Sequence, residues 1–143
     1  DLGLVGSPTD VNPEVIFTLF ENDMIPVIAP LGAGNNGETL NINGDTVSGA
    51  IASALKADRL LLLTDVSGVQ DKNGSIITEL DSTQIKNWIN EGIISGGMIP
   101  KTETALLALK GGVRGVVILD GRVPNACLLE LFTEHGAGSL IRA

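Results

Sequence analysis

The chain has no tyrosine, one tryptophan and three phenylalanines, and its nine lysines and arginines face seventeen acidic residues. A net charge of −8 leaves no basic patch with which to grip a phosphodiester backbone or an anionic lipid surface, and 3% aromatic content supplies no platform for stacking bases. Nucleic acid and membrane are therefore not expected partners. Cys127 is the sole cysteine, so an internal disulfide is excluded and a cysteine zinc site cannot be built from it, which fits a reducing cytoplasm. No apolar run approaches the roughly 18 residues of a membrane span. No charged segment leading into an apolar one marks a secretory signal. The chain opens at Asp1 in mid-pattern, the start expected of a fragment.

Its 143 residues suffice for one domain with a single core, and 43% hydrophobic content sets it apart from a disordered tail. With 18 glycines among small apolar side chains, close-packed α/β layers joined by tight turns are expected. Helical spacing marks 13–21, entered through Asn12 as cap and Pro13 at the first position, then 46–55, 82 to about 91, 102–110 and 124–132. Strand patterns mark 24–31, 38–43, 60–63, 115–120 and 138–141. The runs Leu60-Leu61-Leu62-Leu63 and Val116-Val117-Ile118-Leu119 do not alternate, which predicts strands buried on both faces of a parallel sheet, and 24–31 also reads as a buried strand. The expected fold is a single α/β domain, a three-layer αβα sandwich with a mainly parallel central sheet and an added β-hairpin. Sites are expected beyond the carboxyl ends of the strands, where Asp65 lies.

Two motifs invite other readings. Residues 32–37 match G-x-G-x-x-G after a strand, but a dinucleotide fingerprint needs a helix to open inside the motif. Here a strand pattern follows, so the glycines are read as a hairpin turn. In 71–77 the Asn73-Gly74 pair marks a second hairpin turn, and a calcium loop fails because Gly74 stands at the fourth position and no acid follows at the twelfth.

The chemistry gathers in two stretches. Asn41, Asn43 and Asp45 alternate, so on an extended backbone their side chains leave one face, and an apolar-periodic segment begins at once after Asp45, which makes Asp45 a plausible helix N-cap. Lys101 follows Gly96-Gly97 and Pro100 at the mouth of a predicted helix, where a point cation beside free backbone N–H groups suits a phosphate. Together they read as one phosphoryl-transfer centre.

These residues resemble the acetylglutamate kinase branch of the amino acid kinase (carbamate-kinase-like) family, specifically its carboxy-terminal half. Thr64-Asp65-Val66-Ser67-Gly68-Val69 is similar to a motif shared across the family. Residues 25–30 with Asn41-Ile42-Asn43-Gly44-Asp45, and Gly96-Gly97-Met98-Ile99-Pro100-Lys101, are narrower and resemble that branch in particular. The resemblance implies transfer of the ATP γ-phosphoryl to the γ-carboxylate of N-acetyl-L-glutamate, a step of arginine biosynthesis, with Mg2+ carried by the nucleotide and no protein metal site. It assigns Lys101 to the transferring phosphoryl group, Asp45 to holding catalytic lysines, and Asn41 and Asn43 to the acetylated amino acid. Thr64, Asp65, Val66, Ser67, Gly68, Ile94, Gly97 and Met98 fall in the nucleotide segments. The family's amino-terminal half is absent, and with it a second lysine, a glycine-rich loop and a substrate-gripping arginine, so the isolated half is expected to be inactive. Residues 128–139 resemble the signature of arginine-inhibited members, with Glu130, Gly136 and Gly138 as a candidate L-arginine site, although Asn125 stands where those members carry histidine. A homo-oligomer is implied for the intact enzyme.

Each residue also has a plainer role open to it. Asp45 as a helix cap, Asn41 and Asn43 as hairpin polar residues, Lys101 as a solvated first-turn lysine and Asp65 as a loop cap are all compatible with the pattern. His135 reads as a surface residue, Cys127 as packing and Trp88 as a helix anchor. The competing functions are another kinase of the family, acting on glutamate, aspartate, carbamate or UMP, and a non-catalytic nucleotide- or arginine-binding module.

Overall fold

Val116, Val117, Ile118, Leu119 and Asp120 are all buried, and the strand they form is the spine of the fold. The computed structural model describes residues 3–143; Asp1 and Leu2, where the short apolar stretch 2–5 opens, lie outside the described residues. In chain order the elements are α1 (Glu14–Glu21), β1 (Leu31–Ala33), β2 (Thr39–Asn41), α2 (Gly44–Leu55), β3 (Leu60–Thr64), β4 (Glu79–Asp81), α3 (Ser82–Asn90), α4 (Met98–Lys110), β5 (Val116–Asp120), α5 (Ala126–Phe132) and β6 (Gly138–Arg142).

The main sheet runs β3-β5-β6-β4. β3 pairs parallel with β5, β5 antiparallel with β6, and β6 parallel with β4, so the sheet is mixed with parallel pairing predominant. Ala52 of α2, Ile85 of α3, and Ala105, Ala108 and Leu109 of α4 pack on one face against Leu60, Leu62, Val116, Ile118 and Ile141. Ala126 of α5 covers Val117 and Leu119 on the other. That is the expected three-layer sandwich, since helices on both faces are what an all-apolar strand such as β5 requires. Residues 32–37 turn a hairpin: β1 and β2 pair antiparallel with Gly32 opposite Leu40, and Gly37 takes φ 85°.

Four local expectations are corrected. Residues 24–31 do not form a buried strand; only Leu31 joins one, while Ile25 and Val27 are 91% and 96% exposed. Pro26 and Pro30 offer no N–H, and among the described residues no strand lies alongside to receive the segment. β3 is not buried on both faces, because it forms one end of the described sheet and Leu63 is 49% exposed. The helix expected over 102–110 begins four residues earlier at Met98, which places Pro100 in the first turn, where its missing N–H costs no intrahelical bond. Finally, Asn43, not Asp45, caps α2, its side chain accepting from the Thr46 N–H at 3.2 Å. The extended alternation thus holds for Asn41 and Asn43 around buried Ile42 and stops where the helix opens.

Candidate functional site

α2 and α4 run parallel, and small residues let them touch along their length. A Cβ on Gly49 would lie 2.8 Å from Thr104 Cγ2, and one on Gly111 would overlap Ser53 Oγ. Near the carboxyl ends of the helices Lys56 Nζ donates to the Gly111 carbonyl at 2.7 Å. At the amino ends the same contact line brings Asp45, in the first turn of α2, to Lys101 of α4. Lys101 Nζ donates to Asp45 Oδ2 at 2.9 Å, with the two side chains 19% and 25% exposed. Partial burial screens this pair less than a surface pair, and each charge would be uncompensated without the other.

Lys101 also lines a cleft of about 400 Å³ with Thr64, Asp65, Val66, Gly68, Val69, Gln70, Ile93, Ile94, Ser95, Gly97 and Met98. It opens at the carboxyl end of β3 and the amino end of α4, within the range of small-ligand sites. The Met98 and Ile99 N–H groups bond Ser95 and Gly96 carbonyls, while those of Gly96 and Gly97 have no acceptor among the described residues. Gly97 lines the cleft with Lys101, so a free donor at the helix start shares it with an ammonium group, a setting suited to an anion.

Of the sequence-derived nucleotide residues, Thr64, Asp65, Val66, Gly68, Ile94, Gly97 and Met98 come together in the cleft; Ser67 is exposed outside its lining. Asn41 and Asn43 do not line it. Both stand exposed on the approach to α2, Asn43 two residues before Asp45. Glu130, Gly136 and Gly138 lie in a different cavity of about 710 Å³, beside Asp58, Arg59, Glu79, Arg114, His135 and Arg142. There Glu130 Oε2 accepts the Ala137 N–H at 2.7 Å, so one carboxylate oxygen already braces the Gly136 turn. Asn125 does not line that cavity; it opens α5 in the left-handed region at φ 60°.

Sequence reasoning missed a charged pair next to the cleft. At the end of β5, Arg122 Nε and Nη2 hold the two oxygens of Asp120 at 2.9 and 2.8 Å, and the Arg122 N–H adds a third bond. The Gly121 N–H ties this turn to the Thr64 carbonyl. The Arg122 side chain, then its backbone N–H, draws the Asp120 carboxyl down to about 2, against the opposing effect of burial. The acid-next-to-arginine spacing in Asp120-Gly121-Arg122 was visible, but nothing in it marked a bidentate clamp. Because the folded form holds this proton more weakly than the unfolded chain, Asp120 contributes stability above its ordinary value near 3.8, and loses it as pH falls towards 2. Asp120→Asn is therefore expected to lower the urea midpoint at pH 7, with the gap to the parent chain narrowing between pH 4 and 2. A gap independent of pH would contradict the clamp.

Residues 1–120 match the model of the amino acid kinase family. The acetylglutamate kinase of Ruegeria pomeroyi is 70% identical over 142 residues, covering 99% of this chain and 50% of that protein. The acetylglutamate kinase of Roseobacter denitrificans is 67% identical over 143 residues, again 50% of its length. The chain thus spans about half the length of the curated relatives it matches. Among solved structures, N-acetylglutamate synthase from Neisseria gonorrhoeae, complexed with coenzyme A and L-arginine, superposes with TM-score 0.92 at 25% identity over 99% of this chain and 33% of its own. Carbamate kinase from Giardia lamblia bound to AMP-PNP gives TM-score 0.72 at 21% identity, covering 96% of this chain and 46% of its own, a likeness of fold.

Proposed function

This chain belongs to the amino acid kinase family, and from that premise we propose that it is the nucleotide-binding, carboxy-terminal half of an acetylglutamate kinase. The intact enzyme transfers the γ-phosphoryl group of ATP to the γ-carboxylate of N-acetyl-L-glutamate, in the cytoplasm and as a homo-oligomer. The observation that carries this reading is the Lys101–Asp45 pair, 2.9 Å apart at a cleft on the carboxyl end of a parallel strand. Its support in relatives is the shared kinase name at 70% and 67% identity.

Phosphoryl transfer asks little covalent work of a protein, since the transition state spreads charge over the oxygens of the moving group. Lys101 supplies the compact positive charge that meets it, Asp45 fixes the ammonium group in place, and the Gly97 N–H adds a fixed donor. Thr64, Asp65, Val66, Ser67, Gly68, Ile94 and Met98 hold the nucleotide, and Asn41 and Asn43 offer amides to the acetylated amino acid. The described residues hold no group of three or more acidic, histidine or cysteine side chains able to take a metal ion. Magnesium carried with the nucleotide would draw its ligands from phosphate oxygens and water, with Asp65 a carboxylate lining the cleft, and would neutralise phosphate charge. The chain spans half the length of these relatives, and by itself it is expected to bind nucleotide without turning over.

A second reading concerns L-arginine. Glu130, Glu79, Asp58 and Glu134 line one cavity with Gly136 and Gly138; Arg114 and Arg142 already pair with Asp58 and Glu79, which leaves Glu130 and Glu134 as the carboxylates open to a cationic amino acid. The N-acetylglutamate synthase that shares this fold was solved with L-arginine, which favours an effector site here.

Thermal melting of the chain with ATP, ADP, N-acetyl-L-glutamate, UMP and L-arginine separates the readings. Saturating ATP or ADP is expected to raise the midpoint by about 5–10 °C, with UMP ineffective. A larger response to UMP would transfer the chain to another kinase of the family. A response to arginine with none to nucleotide would make it a regulatory module.

A further inference from the structure

One buried hydroxyl joins the nucleotide-side loop to the last strand. Ser139, on β6, is fully buried. Its Oγ accepts the Val69 N–H at 2.8 Å and donates to the Ile77 carbonyl. The Ile77 N–H in turn donates to the Val69 carbonyl at 2.9 Å. Around these residues the chain folds back on itself: Gln70 bridges Ile76 antiparallel, and the Asp71 N–H reaches the Ser75 carbonyl. In a regular antiparallel ladder the Val69 N–H would meet the Ile77 carbonyl directly, since Val69 and Ile77 stand opposite as a hydrogen-bonded pair. Here the Ser139 hydroxyl is inserted between the two groups and completes the ladder from a third segment. Gly68 fits against it at φ 148°, where a Cβ would come within 2.5 Å of Ser139 Oγ.

We infer that Ser139 is a positioning residue for the nucleotide cleft, holding residues 65–69 at the separation that makes the cleft. Gly68 and Val69 line the cleft, yet Ser139 does not, so it acts through the loop and not on a ligand. Without the hydroxyl, two buried backbone groups either stay unpaired or close on each other, and closure draws Val69 and the preceding residues towards Ile77. The inference rests on the cleft being a nucleotide site.

The test uses the whole chain with ATP and ADP as probes, in calorimetric titration alongside amide hydrogen exchange. Ser139→Ala is expected to weaken nucleotide affinity roughly tenfold and to speed exchange of the Val69 amide selectively. Ser139→Thr keeps the hydroxyl and restores both. Should Ser139→Ala fail to fold, Gly68→Ala presses on the same hydroxyl from the loop with Ser139 itself unchanged, and is expected to speed exchange of the Val69 amide selectively as well as to weaken affinity. Unchanged affinity in Ser139→Ala or Gly68→Ala, beside a parent chain that binds nucleotide, overturns the inference alone. Equal acceleration of exchange throughout the molecule assigns Ser139 a general stabilising role and also overturns it. A parent chain that binds no nucleotide removes the reading of the cleft, and the inference with it.

Discussion

Lys101→Ala in the full-length enzyme is expected to lower kcat by about 10²–10³-fold while leaving the KM values for ATP and N-acetyl-L-glutamate within a few-fold. The split follows from where the charge acts. A cation that meets charge developing on the moving phosphoryl stabilises the transition state more than the bound substrates, so its loss falls on turnover. Lys101→Arg keeps the charge but exchanges a compact ammonium for a planar, longer fork, and should recover only part of the rate. Asp45→Asn removes the 2.9 Å partner and leaves the ammonium free to swing, so it should lower kcat as well, by less than Lys101→Ala. Steady-state kinetics with each substrate varied in turn checks the pattern; a raised KM with unchanged kcat would reassign Lys101 to ground-state binding.

Gly49→Val is the second large effect, and it acts at a distance. The added side chain meets Thr104 Cγ2 where one Cβ would already stand only 2.8 Å away, in a contact where Thr104 is buried. The helices must part, at a cost of about 1–3 kcal/mol in stability. Because α2 carries Asp45 and α4 carries Lys101 on the same line of contact, parting them also lengthens the ion pair. The expected result is a lower urea midpoint together with a loss of kcat in the molecules that remain folded. Gly49→Ala combined with Thr104→Ser, which deletes the opposing methyl, should lose less of both than the two single changes added together. Additive behaviour would show that the α2–α4 spacing does not govern the pair.

Those two predictions rest on features the sequence disclosed to different depths. Val116 to Leu119 announced themselves because an unbroken apolar run has no solvent-facing side, and a strand buried on both faces is the only short element that fits. The hairpin at 32–37 was legible because glycine supplies the positive φ a tight turn needs. Residues 24–30 have the same apolar content as a buried strand, but burial is a property of what lies alongside, and their sequence contains no record of a neighbour. Leu63 misled for that reason too: its side chain is as apolar as that of Leu62, and only the sheet order separates them. β4 passed unnoticed because Leu80 alone is apolar in its three residues, too little for a period.

In the site, Lys101 and Asp45 could be named from residue type and local setting. Their meeting across 56 positions depends on Gly49 and Gly111 permitting a close parallel helix pair, which no local pattern expresses. The cap of α2 was placed two residues late because asparagine and aspartate serve equally well there. Ser139 and the Asp120–Arg122 clamp were invisible for the complementary reason. Both act through partners fixed by tertiary packing, and a serine at the start of a strand or an arginine after one looks the same whether or not such partners exist.

The central claim is that Lys101, steadied by Asp45, faces the terminal phosphate of a nucleotide seated in the cleft between β3 and α4. A crystal structure of the chain with a non-hydrolysable ATP analogue tests it directly. The account predicts the γ-phosphate within hydrogen-bonding distance of Lys101 Nζ, with the rest of the nucleotide along residues 64–69 and 94–98. A nucleotide bound elsewhere, or one in the cleft with Lys101 turned away from its phosphates, would contradict it.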